Sequence, residues 1–216
     1  MKNDQKLKHD VEQALKWEPL LINTAIGVIT QDGIITLIGS VDSYAKKRVA
    51  EQATKTVKGV KAVIEKIEVT FADKEKKSDS VLAQDVLDVL KFNPIVPENQ
   101  IQIQVENGWV TLEGTVKLNF QKLAALTCVE HIPGIRAVAN LITIKSEFDD
   151  QVEKIGIQDA LIRNWTIDEK CIKVDVFGNC VTLTGFVDSI FQKEEAERMA
   201  WSAPGVWNVH NDLFIN

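Results

Sequence analysis

The sequence predicts an α+β protein built from three tandem αββαβ modules, each a three-stranded sheet with two helices on one face. Three observations predict it. A short motif is written three times, as GIITLIG at 33–39, GWVTLEG at 108–114 and NCVTLTG at 179–185. The last glycines, Gly39, Gly114 and Gly185, stand 75 and 71 residues apart, and each is followed 20 residues later by another, Gly59, Gly134 and Gly205. Within each interval the hydrophobic period changes from helical to alternating and back in the same order. Repeats of this length are too long for solenoid units and describe small domains. The boundaries fall at 1–73, 79–147 and 148–216.

The first helix of a module is set by Leu7, Val11, Ala14 and Leu15, and by Leu82, Val86, Val89 and Leu90, which place four apolar side chains on one helical face. The third copy is looser, with Ile157, Ala160 and Leu161. Pro19 and Pro94 follow the first two helices as stops. A hairpin comes next. In the second module Ile101, Ile103 and Val105 alternate on one strand, with Val110 and Leu112 on the other. Its turns, Asp32-Gly33, Asn107-Gly108 and Gly178-Asn179, are pairs that tolerate the positive φ of tight connections. The second helix carries Ala50, Ala53 and Val57, matched by Ala125, Cys128 and Ile132 and by Ala196, Met199 and Ala203. The closing strand carries Val63, Ile67 and Val69; Val138, Ile142 and Ile144; Val209, Leu213 and Ile215. Charged linkers, ADKEKKSDS at 72–80 and SEFDD at 146–150, separate the copies.

Composition narrows the class. Of 216 residues, 45% are hydrophobic and 26% charged, ordinary for a globular chain. No apolar run approaches the roughly 18 residues of a membrane span. The stretch MKNDQKLKHDVEQAL has charges where a signal peptide carries its apolar core. As written, the chain is expected in the cytoplasm; a trimmed N-terminus would move that expectation to the periplasm. Cys128, Cys171 and Cys180 are an odd number and form no disulfide framework, and no CxxC or HxxxH spacing suggests a metal.

The order G-x-V-T-L-x-G-x-V, a helix rich in Lys, Glu and Ala, then G-V-x-x-V-x-N-x-L, resembles the BON domain, named for bacterial osmotically inducible and nodulation proteins. The match covers nearly the whole chain and is best in the second module, through Gly108, Val110, Leu112, Gly114, Gly134, Val138, Asn140 and Leu141. The resemblance implies an αββαβ fold, no catalytic residues and no cofactor. It also implies a role in binding phospholipid or envelope surfaces, connected with osmotic stress. The chain departs from the usual pattern in lacking an export signal and in having three modules.

Chemistry is poorly represented. Catalysis needs a nucleophile, a base and an oxyanion site in mutual reach, yet His9, His131 and His210 fall at unrelated repeat positions. Cys128 stands where the other copies have Ala53 and Met199 and reads as a buried small hydrophobe. An enzyme would have to use Cys180 or His210, and neither has a sequence neighbour that activates it. No enzyme, no cofactor and no metal is the expectation.

Two surfaces distinguish the modules. Residues 1–78 carry 14 basic and 11 acidic side chains, residues 79–147 carry 5 and 8, and residues 148–216 carry 6 and 12. Lys46, Lys47, Arg48, Lys55, Lys58 and Lys61 concentrate on and after the second helix of the first module, a candidate contact for an anionic phospholipid surface. The acidic whole and the absence of interleaved aromatics exclude nucleic acid. Alternation also puts Ile29, Ile34, Ile38 and Ile64 on the sheet face turned away from the helices. The same places hold Gln104, Trp109, Glu113 and Ala139 in the second module and Asp175, Cys180, Thr184 and His210 in the third. An open sheet face is normally polar. Four isoleucines there imply a cover, and with Trp109 and Trp207 they form a candidate protein-contact face. Trp17 and Phe92, before the prolines, are expected to plug the ends of their cores rather than anchor a membrane. Two functional readings stay open: a binding or scaffold protein with an anionic or protein partner, and a purely structural homo-oligomer.

Overall fold

The computed structural model describes residues 4–71, 77–145, 156, 157, 159, 172–203 and 205–216. Its elements follow the expected order. The first repeat contains α1 (Asp4–Lys16), β1 (Ile26–Gln31), β2 (Ile34–Val41), α2 (Tyr44–Lys55) and β3 (Ala62–Val69). The second contains α3 (Asp79–Phe92), β4 (Ile101–Glu106), β5 (Trp109–Val116), α4 (Asn119–Glu130) and β6 (Ala137–Ile144). The third contains β7 (Ile172–Phe177), β8 (Cys180–Val187), α5 (Ile190–Trp201) and β9 (Asn208–Ile215). Of the helix expected from Ile157, Ala160 and Leu161, only Ile157 is described, and it is buried in the third core; Trp165, Cys171 and both linker centres lie outside the described residues.

Each of the three sheets has three strands, in the orders β1-β2-β3, β4-β5-β6 and β7-β8-β9. In the second, β4 and β5 are antiparallel, from Ile101 opposite Gly114 to Glu106 opposite Trp109. Strand β6 then runs parallel to β5, from Ala137 opposite Trp109 to Ile144 opposite Val116. The third sheet repeats this register, from Ile172 opposite Gly185 in β7–β8 and from Cys180 opposite Asn208 in β8–β9. A parallel pair cannot be joined by a hairpin and needs a crossover, which is why a helix separates the last two strands of each repeat. The repeated motif thus lies on the central strand.

In space the chain divides into two compact units: Met1–Ile38, Val49–Lys66 and Glu147–Asn216 form one, Gly39–Arg48 and Ile67–Ser146 the other. The second unit has a core of Leu82, Val86 and Leu90 from α3, Val110 and Leu112 from β5, Ala125 and Val129 from α4, and Ile142 from β6. Tyr44, the first residue of α2, is buried in that same core. The first unit contains the third repeat's core, with Ile157, Val181, Leu183, Ala196, Ala200 and Leu213. In both cores the helices cover one face of the sheet, as amphipathic spacing requires.

The second helices differ from expectation in one position. The side chains that reach the core one turn on are Thr54, Val129 and Ala200, all fully buried. Thr54 is tolerated there because its hydroxyl donates to the Ala50 carbonyl at 2.8 Å. Cys128, expected to be buried, is half-buried, and its sulfur accepts from Asn93 Nδ2 at 2.8 Å. Its helical position faces the flank of the core, one residue off the buried line through Ala125 and Val129.

The hairpin turns also divide into two kinds. Asp32-Gly33 and Asn107-Gly108 have positive φ at both residues, whereas in Gly178-Asn179 only Gly178 does, with φ 57°. Asn179 therefore does not take the left-handed conformation expected of it. A Gly-X turn needs positive φ only at its first central residue, and the Asn179 side chain instead donates to the Gly205 carbonyl at 2.6 Å.

Candidate functional site

The isoleucine face is open. In β1 and β2, Val28, Ile35 and Leu37 are buried, and the alternating Ile29, Ile34 and Ile38 are 55%, 39% and 41% exposed. In β3, Ile67 and Val69 are buried and Ile64 is 45% exposed. All four lie in one compact unit on the side of the strands opposite the core. Trp109 belongs to the other unit, is 60% exposed, and lines a shallow cavity of about 330 Å³ with Gln104, Glu106, Asn107 and Thr111. Trp207 is exposed just before β9. Its amide donates to the Asn179 carbonyl, as those of Lys61 and Arg136 do to Gly33 and Gly108. The first-repeat isoleucines are thus a set, while the two tryptophans are separate exposed positions.

Alternation continues past the residues singled out by sequence. Phe186 and Phe214, on the open side of β8 and β9, are both exposed, with ring centroids 6.1 Å apart. The signal was present, two residues beyond Thr184 on one strand and four beyond His210 on the other. Trp17 and Phe92 do not plug their cores: they are 83% and 82% exposed. The buried line along α1 and α3 ends at Leu15 and Leu90, and two residues on a helix rotate the side chain to the opposite face. Leu21 and Val96, beyond the prolines, close the cores instead. Leu20, Ile22 and Ile95 join the two aromatics among the exposed apolar residues of these helix-end loops.

Five of the six basic candidates, Lys46, Lys47, Arg48, Lys55 and Lys58, are engaged. Lys46 pairs with Asp42 at 2.7 Å, and this hydrogen bond, more than it is opposed by burial, holds the Asp42 carboxyl below its ordinary range. Lys47 donates to the Ile67 carbonyl at 3.0 Å; Lys193, its counterpart, donates to the Leu213 carbonyl at 2.7 Å. Arg48 Nε donates to Glu130 at 2.9 Å. Lys55 meets both Glu51 at 2.8 Å and Glu194 at 2.7 Å. Lys58 meets Asp188 at 2.8 Å. The stem of Lys61 lies over the Gly33 turn.

Two further polar devices are structural. Asp79 accepts from the amides of Asn107 and Gly108 at 2.8 and 2.9 Å, and Asp4 accepts from the amide of Asp32 at 3.1 Å, so a carboxylate at the start of the first helix secures the hairpin turn in the first two repeats. Asn140 donates to the Lys122 carbonyl and accepts from the Ile142 amide, and Asn211 does the same with Lys193 and Leu213. The motif asparagine of the second and third copies therefore joins helix to strand.

His9, His131 and His210 are exposed. His131 Nδ1 lies 3.0 Å from the Thr127 carbonyl and His210 Nε2 lies 3.2 Å from Asn208 Nδ2. Among the described residues no group of His, Cys, Asp and Glu is arranged to hold a metal ion. No described helix is long and apolar enough to cross a membrane.

The fold and its repeated motif define a tandem-module protein, and comparison with known proteins identifies the family. The BON domain family model matches residues 3–70, 78–146 and 150–216. The chain belongs to the BON domain family, in three tandem copies. It is also similar to the osmotically-inducible protein Y of Escherichia coli (strain K12), at 28% identity over 147 residues, covering 66% of this chain and 73% of that protein. Two solved structures of CdsD, a structural protein of the type III secretion system of Chlamydia trachomatis, overlap it. One has a TM-score of 0.25 at 19% identity, covering 96% of this chain and 91% of that one. The other, of the C-terminal domain, has 0.26 at 17% identity and covers both chains fully. The family match carries the assignment, and those overlaps add nothing to it.

Proposed function

We propose that this protein is a non-enzymatic binding and scaffold unit of a stress response, and that it makes its main contact through the isoleucine face of the first repeat. The observation that carries this is the exposure of Ile29, Ile34, Ile38 and Ile64 on one open sheet face. Such a face is stabilised by removal from water, at about 25 cal/mol per Å² of apolar area. A protein surface matches a flat sheet better than a bilayer does, since membranes take up amphipathic helices more readily. Membership of the BON family and similarity to an osmotically-inducible protein support the stress-related, non-catalytic part of the reading.

The test is the molar mass by light scattering of the native chain and of Ile34→Asp with Ile38→Asp. We expect a self-associated native protein and a monomeric variant. Monomers in both cases, with no difference in binding to cell extract, would sink the reading.

A second reading is favoured by the six cations on and after α2: contact with an anionic phospholipid surface. Flotation with phosphatidylglycerol vesicles should recover the protein at low salt and lose it at high salt, because interactions between exposed charges are screened beyond about 10 Å at 0.1 M. Absence of binding at low salt would remove this second reading.

A further inference from the structure

The cations that give the first repeat its positive balance do not face solvent alone. In the unit formed by Met1–Ile38, Val49–Lys66 and Glu147–Asn216, the end of α2 meets the start of α5. Lys55, whose side chain is only 14% exposed, donates to Glu194 at 2.7 Å and also pairs with Glu51 of its own helix at 2.8 Å. Lys58 lies 2.8 Å from the Asp188 carboxylate. The Gly59 amide donates to the Asp188 main-chain carbonyl at 3.0 Å, a bond that no side-chain rearrangement can mimic. Asp188 is itself fixed, because its own amide donates to Gln192 Oε1 at 2.7 Å. The arrangement is complementary at the level of the backbone as well. A cation in the last turn of one helix and a carboxylate near the first turn of another both favour their local helix dipoles.

We infer that the anionic partner of helix α2 is carried by this same chain: Asp188 and Glu194 of the third repeat occupy Lys58 and Lys55, and an outside anionic surface must displace them to bind there. This rests on the second reading above, the anionic one, and specifies how it is regulated. The carboxylates stand where the phosphates of a headgroup would stand, so contact with a sparse anionic surface is suppressed and only a dense one competes. Two distant segments of the sequence, 129 to 139 residues apart, supply the two halves, as the numbering of Gly59 with Asp188 and Lys55 with Glu194 requires.

The test uses the full chain and two readouts. The first is hydrogen exchange at the Gly59 amide. The second is flotation with vesicles of phosphatidylglycerol in phosphatidylcholine at low salt. In Asp188→Asn with Glu194→Gln we expect Gly59 exchange at least tenfold faster and vesicle binding at least threefold tighter. The variant is less acidic by two charges, so a matched control is needed. Glu106→Gln with Glu113→Gln, on the open face of the second sheet, removes the same charge and should leave Gly59 unchanged. Unchanged Gly59 exchange in the first variant would overturn the claim that the two carboxylates hold the end of α2. Faster exchange without tighter vesicle binding, or an equal gain in the control, would overturn the competition and count against the anionic reading. Lys55→Gln with Lys58→Gln serves as the second variant: it should also release Gly59, but with weaker vesicle binding than the native chain.

Discussion

At the scale of single residues, the glycines of the repeated motif divide by what surrounds them. Gly114 has φ +142°, a conformation open only to glycine, and a methyl group there would collide with the Gln100 carbonyl oxygen. Gly178 has φ 57° with nothing within 4 Å of where its Cβ would be. Gly114→Ala should therefore cost at least about 3 kcal/mol, and Gly178→Ala only about 1–2 kcal/mol. Denaturant midpoints of the two variants check this, and equal losses would contradict it. The motif's glycines were legible as turn and strand punctuation because the pattern recurs. Asn179 was not, since a Gly-Asn pair is compatible with two turn types and only the backbone chooses. Thr54 was hidden for a related reason: a polar residue breaks the apolar spacing unless its hydroxyl is already satisfied by the preceding turn.

At the scale of elements, first helices were legible from Leu7, Val11 and Leu15 or Leu82, Val86 and Leu90, because a period of 3.6 needs no tertiary information. What ties the elements together was less so. The bonds of Asp79 to the Asn107–Gly108 turn and of Asn140 to Lys122 join residues that have no periodic relation. The ends of helices misled in the other direction: Trp17 and Phe92 are apolar and close to the core line in sequence, yet they project away from it. Lys55 at the end of α2 gives a pH test. Burial works against its charge, but hydrogen bonds to Glu194 and Glu51 outweigh that and raise its pKa above the ordinary lysine range. A raised folded-state pKa means that the stabilisation is complete below the free lysine value of about 10.4 and is lost as pH rises through the folded value. The difference in Tm between the native protein and Lys55→Gln should hold steady through neutral pH and shrink only in that alkaline window. A gap that closes near pH 8 would show that another group is responsible.

At the scale of the whole molecule, the three repeats share a fold but not a surface. The open sheet face is isoleucine-rich in the first, polar around Trp109 in the second, and edged by the Phe186–Phe214 pair in the third. Those differences were readable by alternation once the repeats were aligned, up to the last pair of each strand. The pairing of Lys55 with Glu194 was not, since the partner lies in another repeat and charge alone does not name it. The exposed tryptophans have a spectroscopic consequence. Three of the five tryptophans, Trp17, Trp109 and Trp207, are 83%, 60% and 46% exposed in the native state, and each lies in a different repeat. The emission of these three should already be red-shifted and readily quenched by iodide, so their part of the signal will register unfolding weakly as a wavelength change. Binding will register strongly. A partner that covers one repeat should protect its tryptophan from quencher, and single Trp→Phe replacements at these three positions would report which repeat has been covered before the partner has a name.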